Sequence, residues 1–238
     1  MMSQFLKAVF AFCLLLSVSD CCIGAVIVTP SDLAPGANYY LVMITGSVFT
    51  GASSNIADYD AFVNSEVAQN TDLAGITWKA LGSTSTVSAR DHLGIGNFPI
   101  YRLDGVRIAD NATDLWDGSI AVTGMTTYNG FLLPNSFVWT GSNPDGTAST
   151  DYLGSATAVF GFTARSDAGW ITHQSGSTAT GSGTVSGHRM LGFSQMLTVG
   201  GPSPAVPEPS AMIVWGLVTS MGAMLSRRRL QKDRAALA

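Results

Sequence analysis

The body of the chain, residues 26–199, contains a single lysine, Lys79, and a single glutamate, Glu66. These two residue types usually fill the exposed faces of helices, whereas this stretch is rich in Gly, Ser, Thr and Ala. Such a chain has few side chains suited to a long, solvent-exposed helix. The composition therefore predicts a fold built mainly of strands, turns and loops.

The charge and cysteine content of the body exclude several classes of protein. Six basic residues stand against thirteen acidic ones, which gives the body a net charge of −7. An acidic surface without a basic stripe argues against nucleic-acid binding. The three cysteines, Cys13, Cys21 and Cys22, all precede the body. The body therefore has no disulfide framework and no thiolate metal site, and its core alone must hold it together.

Residues 1–25 have the layout of a secretory signal peptide. Lys7 lies near the start, an uncharged apolar run extends from Ala8 to Val18, and Gly24-Ala25 offers a small-residue cleavage site. The alternative is an N-terminal core helix or membrane anchor, for which the apolar run is short. We expect export of the body and removal of residues 1–25 by signal peptidase.

The C-terminal residues combine three features in a fixed order. We expect residues 200–206 to be a Pro/Gly/Ser-rich linker, residues 207–230 an apolar helix with a basic stop, and residues 231–238 a cytoplasmic tail. The uncharged run Ala211–Ser226 would reach about 24 Å as a helix, short of the roughly 30 Å of a bilayer core. The residues that define the pattern are Val206, Pro207, Glu208, Pro209, Arg227, Arg228 and Arg229.

This arrangement resembles the PEP-CTERM sorting tail of certain Gram-negative bacteria. The resemblance implies that an exosortase, a membrane protease-transferase, recognises and cleaves the chain near Pro207-Glu208-Pro209. The body would then be released or attached to polysaccharide-rich extracellular material. The catalytic residues of that step belong to the exosortase. The alternative is an ordinary C-terminal transmembrane anchor.

Local patterns in the body predict one early helix and many strands, an α+β class. Ser53–Asn70 has apolar residues at helical spacing, and Ser53 or Ser54 is a suitable cap. Asp104-Gly105 marks a hairpin turn. Other predicted elements are a buried strand in Tyr39–Gly51, a strand in Ile76–Thr86, a loop or short helix before Ile120, a strand before the Pro-Asp-Gly turn, one after Gly169, and a closing strand in Arg189–Val199.

The order of short motifs resembles a family of secreted bacterial domains with a C-type-lectin-like or endostatin-like fold. The motifs are YLVMIT with FTG, the following helix, WKALG, YRLDGVRIADNATDLWDG, VWTGSNPDGT, and GW with its loop, from Tyr39 to Val199. The resemblance implies an extracellular lectin-like domain. The paired cysteines common in that family are missing. The calcium-and-sugar motifs Glu-Pro-Asn and Trp-Asn-Asp are missing too, so lectin activity does not carry over.

One acidic segment is a candidate calcium site. Asp110, Asn111, Asp114 and Asp117 place hard oxygen ligands close together in sequence, although without EF-hand spacing. The alternative is a helix cap followed by solvated loop acids. Asn143 and Asp145 could supply two further oxygens, but turn chemistry explains them. No other cofactor is expected.

The remaining chemistry-bearing residues show no catalytic motif. Asp91-His92 and Ser186-Gly-His188 are neighbours in sequence, whereas members of a catalytic triad are normally distant. We expect structural or surface roles for His92, His173 and His188. The tryptophans Trp78, Trp116, Trp139 and Trp170 could form a sugar-stacking surface, and core packing is the favoured interpretation for most of them.

These patterns together predict an exported, non-enzymatic protein of the cell surface or extracellular matrix. Polysaccharide or another surface protein would be its partner, and the C-terminal helix would hold the precursor in the membrane before processing. One alternative is a secreted glycan hydrolase that uses two aspartates. Another is a simple membrane-anchored structural protein.

Overall fold

Strand β1, Asn38–Ile44, is buried along nearly its whole length. Every residue after Asn38 is aromatic or aliphatic, so neither face of the strand is suited to water. Its side chains alternate between two core clusters, with Tyr40, Val42 and Ile44 in one and Tyr39, Leu41 and Met43 in the other. The predicted buried strand is confirmed, and two layers of core pack around it.

The structure is a computed structural model that describes residue 27, residues 29–178 and residues 187–200. Except for Gly200, these residues belong to one unit that ends at Val199. The predicted signal peptide and sorting tail lie outside the described residues. Within the described part of the chain, no helix has the length and apolar character needed to cross a membrane.

The main sheet has six strands and brings early and late parts of the chain together. Its order is β3 (Trp78–Ala80), β12 (Leu191–Ser194), β1, β4 (Ile100–Arg102) and β5 (Arg107–Ala109), and β13 (Leu197–Thr198) also pairs with β1. The β1–β4 pair is parallel, and the other pairs are antiparallel. The hairpin predicted at Asp104-Gly105 is therefore confirmed as β4–β5, and the predicted closing strand as β12.

Three smaller sheets contain the remaining strands of the described residues. One has the order β10 (Gln174–Ser177), β9 (Thr157–Phe162) and β8 (Phe137–Trp139). The other two are pairs, β11 (Gly187–His188) with β2 (Phe49–Thr50), and β6 (Met125–Thr126) with β7 (Leu132–Leu133). The strand predicted before the Pro-Asp-Gly turn is confirmed as β8.

The described residues contain three α-helices, α1 (Ile56–Val67), α2 (Ala89–Leu93) and α3 (Ala112–Leu115), and 3-10 turns at Thr71–Leu73 and Ala168–Trp170. The early helix is confirmed, but its cap was predicted wrongly. Asn55 caps α1 by accepting the Ala57 N–H (3.2 Å), while the Ser53 hydroxyl bonds Asp58 instead. Few helices and many short strands make the fold α+β, as predicted.

Helix α1 also covers the free edge of β3. The Asn64 side chain accepts the Trp78 N–H (3.2 Å) and donates to the Trp78 carbonyl (2.7 Å), as a neighbouring strand would. The Asp60 carboxylate accepts the Ala80 N–H (2.7 Å). An edge strand with unpaired backbone groups is prone to pair with a strand of another chain. The two side chains prevent this by bonding the backbone groups of β3 that face away from the sheet.

Candidate functional site

The β8–β9 pair carries a row of aromatic side chains on one face. Residues two apart on a strand point the same way, so Phe137 and Trp139 share a face of β8. Their cross-strand partners on β9 are Phe162 and Phe160, respectively. The Phe137 ring lies 4.9 Å from the Phe162 ring and 5.2 Å from the Phe160 ring, between centroids. The alternation of the two strands therefore gathers four rings into one surface.

Two histidines from other segments join this surface. The His188 ring on β11 lies 4.3 Å from the Trp139 ring and 4.6 Å from the Phe160 ring, between centroids. The His173 ring stacks on Phe137 at 6.1 Å with an interplanar angle of 15°. We call the whole set the aromatic face, which comprises Phe137, Trp139, Phe160, Phe162, His173 and His188.

The aromatic face is buried at one end and open at the other. Trp139 is 0% exposed and Phe160 8%, whereas Phe137 is 43% exposed. Phe162 and both histidines are intermediate. The Trp139 indole N–H donates to the Phe49 carbonyl oxygen (3.0 Å), which fixes the buried end against β2. The open end is therefore supported by a packed, hydrogen-bonded base.

Polar groups also border the aromatic face. Burial lowers the pKa of His188 below its ordinary value, and a hydrogen bond with the Gly187 backbone opposes the shift. The His188 ring therefore favours its neutral form near neutral pH. Gln174, opposite Phe160 on β10, is exposed. The arrangement offers apolar ring surface bordered by an amide and imidazole nitrogens, groups that orient polar ligands in binding sites.

Strand β11 and the residue after it connect the aromatic face to the rest of the fold. The Arg189 carbonyl accepts the Trp139 N–H (2.9 Å), and the Arg189 N–H donates to the Phe137 carbonyl (3.1 Å). The Arg189 guanidinium donates to the Thr45 carbonyl (2.8 Å) and to the Gly46 carbonyl. Arg189 thus links the turn after β1 to β8, the strand that carries Phe137.

The candidate calcium residues begin at the end of β5 and lead into α3. The Asp110 carboxylate bonds the Arg107 guanidinium (2.7 Å), and the Asp110 N–H donates to the Asp114 carboxylate (2.7 Å). The Asn111 side chain caps α3 by accepting the N–H groups of Thr113 and Asp114. Of the two predicted alternatives, a loop or a short helix, the structure has a short helix, and its first acidic residues are engaged by the protein's own donors.

The fourth candidate, Asp117, follows α3 and bonds locally. Its carboxylate accepts from the Ser119 N–H and hydroxyl, each at 2.8 Å. Throughout the described part of the chain, no three His, Cys, Asp or Glu side chains gather as a metal-binding group. The calcium site stays a prediction. The turn interpretation of Asn143 and Asp145 agrees with the hydrogen bonds that both side chains make to Thr147.

The four tryptophans of the body are core residues. Trp78, Trp116, Trp139 and Trp170 are 1%, 5%, 0% and 1% exposed, respectively. The interpretation as core packing is confirmed, and a sugar-stacking surface built from these indoles is not present. Among the aromatic residues, it is Phe137 that reaches solvent beside the buried rings. The alternating FVW and VFGF sequences already placed aromatic residues two apart on each strand. The sequence analysis nevertheless did not predict an aromatic surface there.

The sequence neighbours Asp91 and His92 do not pair with each other. The His92 ring bonds the Asp60 carboxylate (2.9 Å), while the Asp91 carboxylate accepts the Ser88 hydroxyl proton (2.7 Å) at the start of α2. Asp60 belongs to α1 and His92 to α2, so this hydrogen bond joins the two helices. The same Asp60 carboxylate also accepts the Ala80 N–H at the edge of β3. The bond to Asp60 agrees with the structural or surface role expected for His92.

A shallow pocket of about 180 Å³ lies near β3 and β12, and Lys79 and Tyr40 are among its lining residues. The Lys79 ammonium donates to the His92 carbonyl (2.6 Å), close to the C-terminal end of α2. A cation there complements the partial negative charge of the helix end. The Tyr40 hydroxyl accepts the Gly96 N–H (3.1 Å). Hydrogen bonds within the fold therefore account for both the Lys79 ammonium and the Tyr40 hydroxyl in the lining of this pocket.

The predicted sorting residues, Val206–Pro209 and Arg227–Arg229, lie outside the described residues. Searches with the whole chain found no matching protein-family model and no curated protein similar to it.

Proposed function

We propose that this chain is the precursor of an exported, non-enzymatic protein of the cell surface or extracellular matrix. Its leader, residues 1–25, would direct export, and signal peptidase would remove it. The PEP-CTERM-like tail would hold the precursor in the membrane until an exosortase acts near Pro207-Glu208-Pro209. The order of Pro-Glu-Pro turn, apolar run and Arg227-Arg228-Arg229 supports this proposal.

The body is proposed to be a C-type-lectin-like domain followed, after a linker, by the C-terminal apolar helix. The motif segments form the elements that the resemblance implies, strand β1, helix α1, strand β3 and strand β8, and this supports the lectin-like part. The proposal assigns the fold alone, and a fold by itself does not assign an activity.

The aromatic face is the observation that carries a binding role for the body. Phe137 is 43% exposed while the rings beneath it are packed. A rigid, partly exposed ring is suited to contact with an external partner, because little conformational entropy is lost on binding. The proposed partner is polysaccharide or another protein of the cell surface.

Mass spectrometry of the mature protein tests the sorting proposal. The protein is isolated from the medium and the surface of its native host, and its C-terminal peptide is identified. We expect an end near Pro209 and the loss of residues 211–238. Deletion of Arg227-Arg228-Arg229 should leave the tail on the chain. Recovery of exported wild-type protein with residues 211–238 attached would show that the chain is a membrane-anchored protein.

A further inference from the structure

We propose that the open end of the aromatic face binds a pyranose ring of a neutral extracellular polysaccharide, with Phe137 as the stacking platform. The inference deepens the proposed surface function and depends on it for the presence of such a ligand. It names a site and a ligand class that the sequence left unknown.

The first argument is preorganisation. Phe137 is held between Phe162 at 4.9 Å, Phe160 at 5.2 Å and the stacked His173 ring at 6.1 Å, between centroids. The interplanar angle with Phe160 is 72°, an edge-to-face contact that aromatic pairs favour. The His188 ring is a fourth neighbour at 5.7 Å, and together these contacts hold the Phe137 ring in one orientation. Such a platform suits the flat, C–H-bearing face of a sugar ring.

The second argument is the size of the exposed surface. A phenylalanine side chain offers roughly 200 Å², and Phe137 is 43% exposed, so it presents on the order of 90 Å². Phe162, His173 and His188 are of intermediate exposure. Phe137 by itself therefore offers a contact area for one ring-sized group, whereas it would be one of many residues in a protein–protein interface, which buries about 800 Å² on each partner.

The third argument is the chemistry around the platform. Gln174 is exposed and opposes Phe160 on the neighbouring strand, and its amide can both donate to and accept from sugar hydroxyl groups. His173 and His188 add imidazole nitrogens with the same dual capacity in their neutral form. The body has a net charge of −7, counted as six basic against thirteen acidic residues. That charge disfavours an anionic polysaccharide and favours a neutral one.

Affinity electrophoresis tests the proposal with the purified full chain. Native gels contain hydroxyethylcellulose, dextran or galactomannan as neutral probes, and alginate as an anionic comparison. At least one neutral polymer should retard the wild type more than alginate does. Phe137→Ala should weaken that retardation at least about tenfold in dissociation constant, which corresponds to the loss of a significant contact residue. Phe131→Ala is the matched control, because Phe131 is even more exposed, at 68%, and precedes β7.

Two further variants separate binding from folding. Phe137→Leu keeps an apolar side chain without a ring, and Gln174→Ala changes an exposed residue. Weaker retardation of Phe137→Leu, with Phe131→Ala unchanged and the melting temperature retained, supports the proposal even if Phe137→Ala misfolds, and weaker retardation of Gln174→Ala shows that the amide contributes. Retardation by no neutral polymer overturns it. Equal binding by wild type and Phe137→Leu also overturns it.

Light scattering decides between a sugar and a protein as occupant. If Phe137→Leu converts an oligomer to a monomer, the aromatic face is a protein interface and the proposal is wrong. Failure of this inference leaves the sorting proposal standing, since the C-terminal mass of the exported protein is an independent measurement. Conversely, an uncleaved tail contradicts the sorting proposal without changing the retardation of Phe137 variants.

Discussion

Substitution of Glu66, the only glutamate of the body, should destabilise the fold by breaking its link to the turn after β1. Glu66 is 4% exposed, and its Oε2 atom accepts the Gly46 N–H at 2.7 Å and the Ser47 N–H at 3.1 Å. Hydrogen bonds to charged groups contribute about 1.5–3 kcal/mol each. Glu66→Ala removes two such bonds, and water can partly replace them because both are only part-buried. We expect a loss of about 3 kcal/mol in the free energy of unfolding.

The charge-neutral variant gives the internal comparison. Glu66→Gln keeps an acceptor oxygen at nearly the same position, and neutral hydrogen bonds are about half as strong as charge-assisted ones. It should therefore cost roughly 1.5 kcal/mol, about half the loss in Glu66→Ala. Ser65→Ala is the neighbouring control on the exposed side of α1, and it should change stability by less than about 0.5 kcal/mol.

Urea denaturation monitored by tryptophan fluorescence measures these differences. The slope of unfolding free energy against urea should be unchanged, because the fold and its buried surface are retained. For a domain of this size, about 3 kcal/mol corresponds to a fall of roughly 6–12 °C in melting temperature. A Glu66→Ala protein within about 0.5 kcal/mol of wild type would refute the reasoning. Equal losses in Glu66→Ala and Glu66→Gln would show that the negative charge alone is responsible, because Gln keeps the size of the side chain; a native stability for Glu66→Gln would show that packing and an acceptor oxygen are sufficient.

Three further changes test other parts of the structure. Asn64→Ala should cost about 2 kcal/mol in urea denaturation, because Trp78 loses both backbone hydrogen bonds; Asn64→Asp, which keeps only the acceptor, should fall between this variant and wild type. Gly161→Ala should cost more than about 4 kcal/mol in thermal unfolding, since the new Cβ would lie 2.0 Å from the Trp170 carbonyl oxygen; a fully folded variant with native melting temperature would contradict that clash. His188 has a folded-state pKa below its ordinary 6.5, so the unfolded chain takes up the proton first as pH falls. Its contribution to stability should therefore decline below pH about 6.5 and level off beneath the folded-state pKa. His188→Leu should reduce this pH dependence between pH 7 and 5, and identical slopes for the two proteins would exclude His188 as its source.

Local pattern was sufficient for several elements of the fold. The uninterrupted apolar run of β1 predicted burial, and helical spacing predicted α1, because both signals depend on neighbouring residues only. The short helix α2 was not predicted. It spans Ala89–Leu93, with Ser88 as its N-cap and Gly94 as a left-handed C-cap. A helix of this length is not stable alone, so its formation depends on packing from the rest of the chain.

The candidate site could not be predicted from local pattern. Its rings come from β8, β9, β11 and the residue before β10, and only the pairing of Phe137 with Phe162 and Trp139 with Phe160 places them side by side. For the four tryptophans, residue type alone predicted only that most of them pack in the core. The indoles are buried in the core, and Phe137 is the exposed ring of the aromatic face.

The sequence by itself determined the α+β class, the central buried strand and the acidic, cysteine-free character of the body. It also carries the motifs from which export and sorting are proposed. These properties follow from composition and short-range periodicity. The tertiary structure decided the roles of Glu66, Asn64, Asp60 and the aromatic face. Each of these roles depends on a partner from a distant segment, and the distance between such segments is set by the packing of the whole fold rather than by their order in the chain.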